Sequence, residues 1–128
     1  MDETAIRTLA TRFFDAIEAG DIETVAATYA AHAVIWHNTD EAETSRDDNL
    51  AVLRGFIRGI PERRYAERRL VVFEGGFLQQ HVLKAVRADG VAVSLPACIV
   101  CKVENGAITR LDEYFDAARV AAFSAPPR

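Results

Sequence analysis

The chain has 128 residues, of which 50% are hydrophobic and 27% are charged. That is the size and make-up of one globular domain spanning 1–128, long enough to bury roughly two-thirds of its unfolded surface without staples. Fifteen Lys and Arg stand against nineteen Asp and Glu, a net charge of −4, which argues against a nucleic-acid partner and an anionic membrane surface, since both reward a basic face. Apolar runs are short and broken by charges, so none is expected to span a bilayer. The opening Met1-Asp2-Glu3-Thr4 lacks the basic start and apolar stretch of a secretory signal, and a cytoplasmic protein is expected.

Ile6, Leu9, Phe13 and Ile17 recur at helical spacing and predict an amphipathic first helix. Gly20 should stop it, and Asp21 is a good N-cap for a shorter second helix carried by Ile22, Val25, Ala26 and Tyr29. Ala33 to His37 is β-branched and aromatic enough for a short strand. Asn38 to Asp48 reads as a polar loop. A third helix presents Leu50, Leu53, Ile57 and Ile60 on one face, and Pro61 closes it.

The remainder reads as sheet. Strands are predicted over Tyr65–Phe73, Phe77–Arg87, Val91–Val103 and Ala107–Asp116, joined by Glu74-Gly75-Gly76, Ala88-Asp89-Gly90 and Glu104-Asn105-Gly106. Strands linked by turns this short must be antiparallel. Ala117 to Phe123 adds a helical turn, and Pro126-Pro127-Arg128 reads as a frayed tail. The fold class is α+β: three helices can cover only one face of such a sheet. A curved sheet half-wrapped in this way leaves a hollow, and ligand pockets favour concave apolar places.

Two features suggest chemistry at first sight and have plainer readings. Cys98 and Cys101, the only cysteines, have the C-x-x-C spacing of redox and zinc motifs. Both lie in a predicted strand, where residues three apart point to opposite sides with Cα atoms roughly 10 Å apart, whereas a disulfide needs less than about 7 Å. No second pair completes a zinc site, so they read as two buried strand thiols. The doublets Arg63-Arg64 and Arg68-Arg69, each preceded by Glu, read as a solvated strand face in an acidic chain.

The element order, with Ala19-Gly20-Asp21-Ile22-Glu23, Ile35-Trp36-His37-Asn38 and the run Gly106-Ala107-Ile108-Thr109-Arg110-Leu111-Asp112-Glu113-Tyr114-Phe115-Asp116, resembles the nuclear transport factor 2-like superfamily, and within it the SnoaL-like and limonene epoxide hydrolase-like branch. The resemblance covers almost the whole chain. It implies a cone-shaped domain, with three N-terminal helices on one face of a strongly curved, mixed but mostly antiparallel sheet that encloses a pocket. It also implies a homodimer formed through the outer sheet face. Members include isomerases, epoxide hydrolases, polyketide cyclases, dehydratases and non-catalytic proteins, so the fold leaves function open.

Two of those activities map residue by residue. Ketosteroid isomerase needs a carboxylate base and two oxyanion donors. The resemblance places the base position on His37, the Tyr donor on Phe13 and the Asp donor on Cys98, so the oxyanion would go unstabilised and that mechanism is rejected. Limonene epoxide hydrolase fits better. Its carboxylates fall on Asp116 and His81, its bridging Arg on Gln79, and its water-holding Asn on His37 or Asn38.

On the expected strands, Gln79 and His81 share a face with Phe77 and Leu83, Ile35 shares one with His37, and Asp112, Tyr114 and Asp116 share another. If those faces line the hollow, His37, His81 and Asp116 converge as a catalytic group. Either His81 with Asp116, or His37 with help from Asn38, could activate a water or take a proton beside a carbonyl. Phe13, Trp36, Asn38, Gln79, Cys98 and Tyr114 are the expected substrate-binding residues. His32 and the pair Asp112 and Glu113 read as exposed ends.

Three functions remain open. The first is a cofactor-free, metal-free enzyme using His/Asp acid–base chemistry on a small apolar or amphipathic molecule. The second is a non-catalytic ligand-binding or dimerisation domain. The third is a metal enzyme using His37, His81 and Asp116, though no local ligand motif supports it.

Overall fold

The structure is a computed structural model and describes residues 1–124. The sequence-predicted tail at Pro126-Pro127-Arg128 lies outside the described residues. Helix α1 runs Glu3–Ala19, with the Asp2 carboxylate accepting from the Ala5 amide at 2.8 Å. Its inner stripe, Ile6, Leu9, Ala10, Phe13, Phe14 and Ile17, is buried. Gly20 ends it in the left-handed region at φ 76°, which glycine adopts without penalty. Asp21 then caps α2 (Ile22–Thr28) through the Thr24 amide and hydroxyl.

The second helix is shorter than the periodicity predicts. Tyr29 does not continue it but opens strand β1 (Tyr29–His37), pairing with Ile108. The polar stretch after His37 is not all loop. Glu43–Ser45 forms a short edge strand, β2, antiparallel to β1. The Ser45 hydroxyl accepts from the Asp48 amide and starts α3 (Arg46–Gly59).

Four long strands follow: β3 (Glu62–Phe73), β4 (Gly76–Val86), β5 (Ala92–Glu104) and β6 (Ala107–Phe115), then a single turn, α4 (Ala117–Val120), and a 3-10 turn at Ala121–Phe123. The sheet order is β2-β1-β6-β5-β4-β3. Every neighbouring pair is antiparallel except β1 with β6, which is parallel. This is the mixed sheet of a cone-shaped α+β fold, with the helices against its inner face. The β3–β4 turn is tight: a Cβ on Gly76 would run into the Cys101 carbonyl oxygen and the Phe73 ring.

Two irregularities aim side chains. In β3 the register shifts between Ala66 and Arg69, and Glu67 takes a positive φ of 55°. This bulge turns Arg68 back to α1, where its guanidinium meets Asp15 and Glu18 at 2.7 Å each. The second shift lies between β5 and β6 at Lys102/Val103. Ile108 and Leu111, three residues apart, are therefore both buried on the inner face. Beyond that shift, Leu111, Glu113 and Phe115 face inward, and Asp112 and Tyr114 face outward.

Candidate functional site

Between the helices and the inner face of the sheet lies a cavity of about 240 Å³. Phe13 and Ile17 of α1, Leu53 and Phe56 of α3, and Leu83 and Ile99 of the sheet make much of its wall. Val120 and Phe123 also line it, with the Phe123 ring centroid 6.1 Å from that of Phe56. Five polar side chains interrupt this apolar lining: Tyr29, His37, Asn49, Tyr65 and Glu113.

Parallel pairing of β1 with β6 sets His37 beside Glu113 in register. Their side chains meet with Nε2 of His37 3.2 Å from Oε1 of Glu113, each about a quarter exposed at 25% and 22%. The hydrogen bond to Glu113 raises the histidine's proton affinity above its usual value; burial opposes this, and the charges of Glu113 and Asp40 add to it. A carboxylate can only accept, so it holds the proton on Nε2 and leaves Nδ1, which has no hydrogen-bond partner among the described residues, as the basic nitrogen. Asn38 locks this corner. Its amide donates to the Phe115 carbonyl at 3.1 Å and accepts from the Phe115 amide at 3.0 Å, while its own backbone N–H donates to the Glu113 carbonyl.

Of the residues expected at the site, His37 and Phe13 line the cavity. The others lie elsewhere. Asp116 is exposed and caps α4, accepting from the Ala118 amide at 2.9 Å. It lies one residue beyond β6 and does not meet either histidine. Trp36, Cys98 and Tyr114 face outward. Their positions alternate with the inward Ile35, Ile99 and Phe115, and the Trp36 and Tyr114 rings lie 5.3 Å apart on the outer face. Asn38 holds backbone rather than the cavity.

Gln79 and His81 are on the inner face but sealed into the core, 2% and 4% exposed. The His81 ring lies 5.5 Å from Phe14 and 4.6 Å from Tyr65. Its Nδ1 is 3.0 Å from Gln79 Nε2, and its Nε2 has no hydrogen-bond partner among the described residues. Burial, helped by the Arg68 charge, lowers its pKa to about 4, so it is held neutral. His37, His81 and Asp116 thus do not form one group. Among the described residues no cluster of three or more His, Cys, Asp or Glu side chains is placed to hold a metal ion. Nor are both cysteines buried: Cys101 is fully buried, whereas Cys98 is partly exposed and on the opposite face.

Glu113, Tyr29, Asn49 and Tyr65 were not foreseen. The signal for Glu113 was present in Ile108 and Leu111. Two large aliphatics three apart cannot share a strand face unless a bulge intervenes, and counting inward from Leu111 selects Glu113 and Phe115.

The family model for the SnoaL-like domain matches residues 10–111. The chain belongs to the SnoaL-like domain family. Solved structures agree at the level of fold. A candidate polyketide cyclase of Xanthomonas campestris pv. campestris superposes with a TM-score of 0.83 at 16% identity, covering 95% of this chain and 98% of that one. An LEH-like epoxide hydrolase of M. tuberculosis gives 0.76 at 21% identity, covering 93% and 87%. An NTF2-like protein of unknown function from Burkholderia pseudomallei gives 0.82 at 17% identity, covering 98% and 100%. No curated protein matches the chain closely enough in sequence to count as a relative. These neighbours share the fold, and among the described residues no helix is long and apolar enough to cross a membrane.

Proposed function

We propose that this SnoaL-like protein is an enzyme that needs no organic cofactor and acts on a small, largely apolar molecule, with His37 as the acid–base residue and Glu113 as its partner. The observation that carries the reading is the His37–Glu113 contact of 3.2 Å opening onto a largely apolar cavity. Nδ1 takes a proton from a carbon beside a carbonyl, or from a water. Glu113 stabilises the imidazolium that forms, and the same nitrogen returns the proton to product. The first option gives isomerase, lyase or cyclase chemistry; the second gives hydrolysis. The cavity holds about eight waters' worth of liquid, so it suits a compact molecule of about ten carbons.

The outer sheet face, where Tyr114 pairs with Cys98 and packs against Trp36, supports a homodimer through that face. Two unpaired thiols fit a reducing compartment such as the cytoplasm.

The test is proton exchange in D2O, with small cyclic ketones followed by NMR, beside a panel of compact epoxides for hydrolysis. The wild type should wash out the protons next to a carbonyl or open an epoxide, and His37→Ala and Glu113→Gln should lose that activity while staying folded. Ligands that bind and emerge unaltered would transfer the protein to the class of non-catalytic binders. Equal turnover by the wild type and both variants would remove the dyad from the chemistry.

A further inference from the structure

Two groups in the cavity remain unexplained by proton transfer. Asn49, near the start of α3, is only 6% exposed, and its Oδ1 accepts the Tyr29 hydroxyl proton at 3.0 Å. That bond orients the amide, because Tyr29 is itself buried and its ring sits edge-on to Phe13 at 5.5 Å. The two N–H bonds on Nδ2 then have no acceptor among the described residues.

Tyr65 is similar. Its ring is edge-on to Phe14 at 5.3 Å and to His81 at 4.6 Å, and its backbone amide donates to the Glu18 carboxylate at 2.8 Å. The Arg68 guanidinium lies 5.9 Å from the ring centre. Everything about this side chain is fixed except the hydroxyl, which makes no hydrogen bond among the described residues. Both residues line the cavity. Neither Nδ2 of Asn49 nor the Tyr65 hydroxyl is a sealed orphan like Nε2 of His81, so both can be reached from outside the packed core.

A ligand that fills the cavity displaces water from these donors, and leaving a desolvated donor without an acceptor is costly, so a ligand that brings an acceptor is favoured over one that does not. We infer that Asn49 and Tyr65 are the recognition pair of this cavity, selecting compact apolar molecules that carry a hydrogen-bond-accepting oxygen, a ketone above all, over hydrocarbons of the same shape. Tyr29 is the positioning residue that keeps the Asn49 amide facing the right way. The inference rests on the cavity being the ligand site, but not on His37 performing chemistry there.

A rigid pair of probes separates the two. 2-Adamantanone carries the acceptor oxygen and cannot enolise, and 2-methyleneadamantane has the same shape without it. Affinities are read by displacement of a fluorescent apolar dye. The wild type should bind the ketone about tenfold more tightly than the alkene, the worth of two modest hydrogen bonds. Asn49→Leu and Tyr65→Phe should each lose part of that preference, and the double variant all of it. If Asn49→Leu fails to fold, Asn49→Asp keeps the acceptor for Tyr29, replaces the donors and should favour the alkene. Equal binding of both probes by the wild type overturns the recognition pair while leaving the cavity standing as a ligand site. A preference that survives in the double variant overturns it too. If neither compound displaces the dye, the recognition pair and the cavity reading fall together.

Discussion

Replacing Glu113 by Gln removes a charge with almost no change in shape. In the wild type the His37–Glu113 pair spans 3.2 Å with both side chains about a quarter exposed. A hydrogen bond between charged partners contributes about 1.5–3 kcal/mol, and partial exposure screens it toward about 1–2 kcal/mol. The raised proton affinity of His37 fixes the sign. The stabilisation is fully present below the unfolded histidine's value of about 6.5 and is lost as pH rises through the folded value. The variant should therefore be about 1–2 kcal/mol less stable than the wild type near pH 6. At pH 9 the two should nearly coincide, because a carboxylate in an apolar cavity facing a neutral imidazole adds little. Urea unfolding at both pH values measures the gap, and other titrating groups cancel between the two proteins. Ring-proton NMR should show the His37 midpoint moving down in the variant. A gap of equal size at pH 6 and pH 9, or an unmoved midpoint, would refute the coupling.

Three further outcomes are expected. His81 is held neutral with its pKa near 4, so the unfolded chain gains a proton the fold refuses, and the wild type should lose about 3 kcal/mol between pH 6.5 and pH 4; His81→Leu should flatten that loss in urea titrations, whereas parallel losses would disprove it. Asn38→Ala removes both hydrogen bonds to the Phe115 backbone and should cost about 2 kcal/mol, with faster amide exchange at Phe115; unchanged exchange would mean that the side chain does not hold this corner. Gly76→Ala forces a Cβ onto the Cys101 carbonyl and the Phe73 ring and should cost about 2 kcal/mol or more. Gly59→Ala, with nothing among the described residues near its Cβ, should be neutral or stabilising by up to about 1 kcal/mol in thermal melts; a similar penalty at both sites would show that close approach is not the cause.

Where one local rule governed, the sequence could be read directly. The α1 stripe from Ile6 to Ile17, the stop at Gly20, the cap at Asp21 and the turns at Gly75 and Gly106 each rest on spacing or on a single residue's chemistry. Tyr29 escaped because helical periodicity and strand propensity overlap there, and the pairing with Ile108 decides between them. Glu43–Ser45 escaped because three polar residues at an edge carry no period. The site was harder, since it depends on which side of β6 faces in. A one-residue shift exchanges every side chain between faces, which is why Asp116 and Tyr114 seemed to be inside and Glu113 outside; Cys98, on β5, was placed at the site by the family resemblance alone. The alternation on β4 was read correctly, yet Gln79 and His81 prove inward without reaching the cavity. Phe14 and Tyr65 fill the space above His81, and no strand pattern contains that information.

The sheet order has a consequence for how the molecule comes into being. β6 follows every other strand in the chain, yet it lies between β1 and β5. Until it is made, the meander β3-β4-β5 and the ribbon β1-β2 have no shared hydrogen bonds, and each presents an open edge. Two long-separated stretches, Val34–His37 and Arg110–Glu113, must then find each other in parallel, the slow kind of pairing. A nascent chain stalled before Ala107 thus carries two edges that only β6 can satisfy. In that interval it is most exposed to wrong partners, and the strand that brings Glu113 to His37 is also the one that ends the hazard.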